Sequence, residues 1–126
     1  MSHKDPYGDK VLDHYRNPRN YGPIEGADAM SRGENESCGD EVTIYLKVSD
    51  NRLTDVRFTS RSCAICRASA SMLTELAKGK KVSEAIGLGR DDVLNSFGGA
   101  ISPARESCAL LPLKALKSAL SELIKG

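Results

Sequence analysis

The stretch Glu41-Val42-Thr43-Ile44-Tyr45-Leu46-Lys47-Val48-Ser49-Asp50-Asn51, with the run Leu53 to Ser60 behind it, decides the fold class. Val42, Ile44, Leu46 and Val48 alternate with Glu41, Thr43, Tyr45 and Lys47, the period of a strand with one buried face. Ser49-Asp50-Asn51 is turn chemistry, and in the second run Val56 and Phe58 share a face. The two runs read as an antiparallel hairpin. A lone hairpin is marginal in water, so a further strand is expected within residues 29–36, where its own signal is weak.

Beyond Cys63 the pattern turns helical. Ala64, Ala68, Ser69, Ala70 and Ser71 lead into Met72, Leu73 and Leu76, and Gly79 closes the helix. Val82 to Ile86 reads as a short helix, and Gly87 to Gly99 as loop with one helical turn at Asp91–Leu94. The last helix carries Leu110, Leu113, Leu116, Leu120, Leu123 and Ile124 as a broad apolar stripe. Pro112 removes one backbone donor there, which predicts a late regular start or a kink. Before the hairpin, Asp5-Pro6 is a helix entry, and Tyr7, Val11, Leu12 and Tyr15 form an amphipathic stripe that ends before Pro18. Asn20 to Gly39 is rich in Gly, Asn, Asp and Glu, a long irregular segment of the kind that carries function. Helix, loop, sheet, then helices indicates an α+β fold, a small antiparallel sheet of about three strands with helices on one face.

The 126 residues suit one domain, 1–126, with residues 1–20 as an N-terminal helix and arm open to mobility. Eighteen Lys and Arg against 17 Asp and Glu leave a net charge of +1, which gives no basic face for nucleic acid. Hydrophobic residues at 40% and charged residues at 28% make a globular composition, and 5% aromatics without Trp make the core aliphatic. No apolar run approaches the roughly 20 residues of a membrane span, and Met1 to Asp5 lacks the apolar stretch of a secretory signal. A cytoplasmic protein with no membrane partner is expected.

The cysteines are Cys38, Cys63, Cys66 and Cys108. In a reducing compartment such scattered thiols are ligands, nucleophiles or buried apolar residues more often than disulfides. A zinc ribbon needs two C-x-x-C pairs, and only Cys63 and Cys66 form one. Cys38, Cys63 and Cys108 fall at element junctions, which converge when they lie at one end of a sheet. Asp40 shares a strand face with Cys38 if the strand extends that far. Three thiolates and a carboxylate suit zinc or an iron–sulfur cluster. Taken singly, each Cys reads equally well as a small buried residue, and Asp40 as a turn residue. Cys66, inside the small-residue helix entry, reads as structural, yet one turn from Cys63 it remains an alternative ligand. Cys108, placed at the entry of the last helix, gains thiolate character from the helix dipole and is a candidate nucleophile. His3 and His14 read as surface residues.

Tyr7…Val11-Leu12-Asp13-His14-Tyr15-Arg16-Asn17-Pro18-Arg19-Asn20, Cys38-Gly39-Asp40, Cys63-Ala64-Ile65 with Ala68-Ser69-Ala70-Ser71-Met72, and Pro103-Ala104-Arg105…Cys108-Ala109 stand in one order along the chain. With these the chain resembles the IscU/SufU family of iron–sulfur cluster assembly scaffolds, found also as the N-terminal domain of NifU. The resemblance runs from Tyr7 to Ile124. It implies that Cys38, Asp40, Cys63 and Cys108 hold a [2Fe–2S] cluster or zinc. It implies a cysteine desulfurase as persulfide donor, an iron donor, and apo iron–sulfur proteins as acceptors. Such a protein is a carrier rather than a turnover enzyme.

Three departures shape the expectation. IscU proteins carry a His before the last Cys, where this chain has Ser107, so Cys66 or a ligand from a second subunit of a homodimer is left to complete the set. The Leu-Pro-Pro-Val-Lys segment read by a dedicated chaperone is replaced by Ile101-Ser102-Pro103-Ala104-Arg105, which argues against that partner. The Pro-Ala-Arg-x-x-Cys pattern resembles SufU, but the long insertion between the second and third site cysteines is missing. SufU-type proteins are zinc-dependent sulfurtransferases, and by that resemblance Cys108 accepts the persulfide while Arg105 engages the desulfurase. Arg105 reads almost as well as half of a surface salt bridge. A small structural zinc protein is the third reading.

Overall fold

Three strands, β1 (Ala29–Asn35), β2 (Asp40–Ser49) and β3 (Arg52–Arg61), form one antiparallel sheet in the order β1-β2-β3. The computed structural model describes residues 8–35, 39–98 and 101–125. The helix entry expected at Asp5-Pro6, with Tyr7, and the Cys38 site position lie outside these residues. Asp50 (φ 53°) and Asn51 (φ 65°) are both left-handed. That is the type I′ geometry whose twist matches a two-residue hairpin, and Asp and Asn tolerate it best after Gly. Along β2 the buried residues are Asp40, Val42, Ile44 and Leu46, on the face the alternation assigned to the core. In β3, Leu53 joins Val56 and Phe58 in the core although it stands three positions before Val56, an odd offset. A register shift at Lys47/Val48 lets this happen, because a bulge reverses the side-chain parity of the strand.

The helices are α1 (Gly8–Arg16), α2 (Ala64–Ala77), α3 (Val82–Ile86), α4 (Arg90–Ser96) and α5 (Pro103–Lys125). α5 packs on β1 and β2, α2 packs on β3 and on α5, and α1 lies on α2. Ile44, Leu46, Leu53 and Phe58 meet Leu73, Leu116 and Leu120 in the core, each under 2% exposed. Full burial of such a side chain contributes about 1.5–3 kcal/mol. Buried Ala68 and Ala70 of α2 and Ala109 of α5 let these helices approach closely, and Ser69 Oγ donates to the Ala109 carbonyl at 2.6 Å.

The sheet is guarded on one side. The Phe58 N–H donates to the Asn20 carbonyl at 3.0 Å, the Gly22 N–H donates back to the Phe58 carbonyl at 2.8 Å, and the Tyr21 ring meets Phe58 edge-on. The segment read as irregular thus shields β3, and its later part is β1. Among the described residues, no strand or bridge pairs with the outer side of β1.

Three local expectations are corrected. α4 is a seven-residue helix rather than a single turn. α5 begins at Pro103 and runs through Pro112, with no late start. The missing donor is one rung of a 23-residue helix, and the fully buried proline ring packs in the core. On α1 the buried positions are Val11 and His14, while Tyr15 is 42% exposed, so His14 is not a surface residue. His14 Nδ1 lies 2.6 Å from Ser71 Oγ, which also accepts the Arg19 N–H, and His14 Nε2 lies 3.4 Å from Glu75. Burial lowers the His14 pKa, the Arg19 charge adds to this, and Glu75 opposes it. A neutral ring that accepts the Ser71 hydroxyl and donates toward Glu75 satisfies every partner.

Candidate metal centre

β2, α2 and α5 each bring one residue to the same end of the sheet. Asp40 is the first residue of β2, Cys63 is the N-cap of α2, and Cys108 is the sixth residue of α5. A carboxylate oxygen of Asp40 and the sulfurs of Cys63 and Cys108 lie within 4.8 Å of one another. That spacing suits ligands around one tetrahedral ion, since metal–ligand bonds of about 2.0–2.3 Å set donor atoms roughly 3.5–4 Å apart.

Asp40 reaches the site because the strand alternation carries it inward, onto the face of Val42 and Ile44. It is only 4% exposed. Its carboxylate accepts the Cys63 N–H at 3.0 Å through Oδ1, and Oδ2 lies 3.5 Å from the Cys63 sulfur. The carboxylate thereby takes one of the orphan donors at the start of α2, a role the Cys63 side chain does not fill. Cys63 is half-buried and occupies the N-cap position of α2.

Cys108 corrects an expectation. It is 6% exposed and lies in the second turn of α5, beyond the reach of a dipole effect that fades within the first turn. The helix-end thiol is Cys63 instead. Ser69 holds the next residue, Ala109, through its carbonyl, so α2 positions both cysteines.

Cys66 is fully buried in the core, and its sulfur is not in the three-residue group. Ser107, which replaces the expected histidine, points elsewhere: it is exposed and its hydroxyl accepts from Asn35 Nδ2 at 3.3 Å. Arg105 is exposed and makes no ion pair among the described residues, so the surface salt bridge is not found. Sequence reasoning missed the clamp behind the site, where Arg90 donates to Glu106 at 2.7 and 3.0 Å and ties α4 to the first turns of α5. This pair holds the Glu106 pKa below its ordinary value and raises that of Arg90. Both residues lie in stretches with little periodicity, and a separation of 16 positions hides the pairing.

The donor set is two soft sulfurs and one harder oxygen. Sulfur favours zinc and iron–sulfide, whereas a carboxylate oxygen is the weaker partner for such cargo. No helix among the described residues is long and apolar enough to cross a membrane.

Comparison with known proteins agrees along the whole described chain. The family model of the NifU-like N-terminal domain matches residues 6–125. One of two iron–sulfur cluster assembly scaffold proteins IscU of Archaeoglobus fulgidus is 44% identical over 119 residues, covering 94% of this chain and 77% of that protein. The scaffold protein IscU of Aquifex aeolicus is 37% identical over 120 residues, covering 94% and 76% of the two chains. Among solved structures, an assembly scaffold assigned to the SUF system of Fervidobacterium islandicum superposes with a TM-score of 0.77 at 30% identity, over 91% of this chain and 96% of that one.

Proposed function

The chain belongs to the NifU-like N-terminal domain family, and from that premise we propose that it is a scaffold on which an iron–sulfur cluster is assembled and then handed to apo-proteins. Asp40, Cys63 and Cys108 serve as ligands, with Cys38 as the third thiolate. Iron and persulfide sulfur are the substrates, a cysteine desulfurase and an iron donor supply them, and the cytoplasm is the compartment. The observation that carries the reading is the convergence of two sulfurs and a buried carboxylate from three elements. A structural zinc site favours a closed Cys/His set, so the oxygen ligand speaks against a purely structural metal. An exchangeable oxygen in the set suits a carrier, because four thiolates would hold the cargo too well.

Anaerobic incubation with ferrous iron, cysteine and a cysteine desulfurase tests this. The expected product has a visible chromophore, a [2Fe–2S] Mössbauer signature and about two irons per cluster. Stoichiometric zinc with no chromophore after that incubation overturns it.

A second reading, a zinc-dependent sulfurtransferase, is favoured by the Pro103-Ala104-Arg105…Cys108 pattern, in which Ser107 stands beside Cys108 and its hydroxyl accepts from Asn35. In that reaction the Cys108 thiolate attacks the terminal sulfur of the donor persulfide. A new S–S bond forms, the old one breaks, and the donor cysteine leaves as thiolate. Arg105, exposed one turn before Cys108, would engage the desulfurase.

A further inference from the structure

Cys63 and Cys66 form the chain's one C-x-x-C pair, and the ligand group takes only the first of them. β3 ends at Arg61, and the Cys63 carbonyl accepts the Arg67 N–H at 3.0 Å, so Cys63 already follows the helical path that Cys66 continues. Helix rise and radius set α-carbons three positions apart about 5 Å from one another, inside the roughly 4.4–6.8 Å that a disulfide spans. Side chains at the N-cap and at the third helical position can meet, as they do in a capping box. The Cys63 side chain makes no capping hydrogen bond that would hold it away from that neighbour. Exposure divides the pair. Cys63 is half-buried and packs against the core cluster that contains Cys66, whereas Cys66 is 0% exposed. A donor from solution reaches the first thiol and not the second, the division that separates an accepting sulfur from a resolving one.

We propose that Cys66 is the resolving thiol for a persulfide carried on Cys63, so that the pair turns persulfide sulfur into sulfide at the metal centre. The inference rests on the reading above in which persulfide sulfur is a substrate. Cys63 takes the outer sulfur from the donor, or from Cys108, whose sulfur lies within 4.8 Å of its own. The Cys66 sulfur then attacks the inner sulfur of the Cys63 persulfide. A Cys63–Cys66 bond forms, the bond to the outer sulfur breaks, and that sulfur departs as hydrosulfide and takes up the Cys66 proton. Counted from two thiols and a sulfane sulfur, the pair loses two electrons and the sulfur gains them. The sulfide is released beside Asp40 and Cys108, the proposed ligands of iron. A disulfide to Cys108 would remove two ligands at once, whereas Cys66 lies outside the ligand group and its disulfide removes one. A dithiol reductant or excess cysteine then reopens the bond, is itself oxidised to a disulfide, and returns Cys63 as a ligand.

A reductant-free assay isolates this step. The reduced, metal-free chain, desalted from thiol, receives one equivalent of glutathione persulfide, a donor that needs no desulfurase. About one sulfide per chain is expected. Trypsin cuts after Arg61 and Arg67, so the peptide Ser62 to Arg67 holds this pair and neither Cys38 nor Cys108. After alkylation of the denatured chain that peptide should be unalkylated and two hydrogens lighter. Cys66→Ala should keep a persulfide on Cys63 and release about tenfold less sulfide, because the liberated glutathione is dilute beside a thiol one helical turn away. With excess cysteine present the external thiol stands in for Cys66, so the cluster content of Cys66→Ala is unchanged there. Sulfide release in this assay without transfer from a desulfurase would refute the donor in the proposed function and support the pair. Equal sulfide from the parent and Cys66→Ala, a parent persulfide that survives with peptide 62–67 fully alkylated, or a disulfide from Cys63 to Cys108 overturns the inference.

Discussion

Replacing His14 tests how the N-terminal helix is held. His14 is 4% exposed and its Nδ1 sits 2.6 Å from Ser71 Oγ, whose other partner is the Arg19 N–H. His14→Ala removes one buried hydrogen bond, about 1 kcal/mol, and the packing of the ring, about 1–2 kcal/mol. The expected loss is about 2–3 kcal/mol, which lowers Tm by about 6–15 °C in a domain of this size. His14→Asn, which keeps an acceptor near the Nδ1 position, should cost less than half of that. The pH dependence gives a sharper readout. Burial lowers the His14 pKa, so between the folded value and about 6.5 the unfolded chain binds more protons than the folded one. The stabilisation is therefore complete above pH 6.5 and is lost as the pH falls from there toward the folded value. The carboxylates of Asp13, Glu84 and Glu106 are themselves lowered, so they titrate below this window. Urea unfolding at pH 7.5 and 5.5, with amide exchange on α1, measures the effect. A His14→Asn protein with the same loss between these pH values as the parent would refute the reasoning.

Asp40→Ala removes the oxygen from the ligand set, and a reconstituted cluster should then persist severalfold longer against a chelator, followed by visible absorbance; unchanged or faster loss would count against an exchangeable carboxylate. Cys66→Ala should leave iron and sulfide content unchanged while costing about 1 kcal/mol in urea unfolding, the mark of a small core residue, whereas Cys63→Ser should abolish the chromophore. Gly33→Val should destabilise by about 1–3 kcal/mol, since its Cβ would stand 3.1 Å from Leu111 and the added methyls have no room; a neutral thermal melt would show that β1 and α5 pack less tightly than the coordinates indicate.

The alternation of Val42, Ile44 and Leu46, the Asp50-Asn51 turn, the helix ended near Gly79 and the leucine stripe of α5 were all readable, because each is a local periodicity or a local backbone preference. β1 was only inferred, since Met30, Arg32 and Glu34 face away from the core and Gly33 has no side chain to signal a strand. Leu53 looked out of phase with Val56 until the bulge reversed its parity. His14 looked like a surface residue because the sequence cannot show that a hydroxyl 57 positions later fills its ring nitrogen. Cys108 reads as a helix entry because the leucine stripe begins only at Leu110, whereas the helix itself already starts at Pro103.

By itself the chain of residues determined the kinds of element, their order, and which donor atoms were available for chemistry. Those properties follow from spacing along the backbone and from side-chain identity. The gathering of Asp40, Cys63 and Cys108 and the exclusion of Cys66 and Ser107 from that group were decided only when the sheet and helices closed on one another. Residues 23 and 45 positions apart become neighbours through the summed packing of the whole core, and no short window of sequence contains that sum.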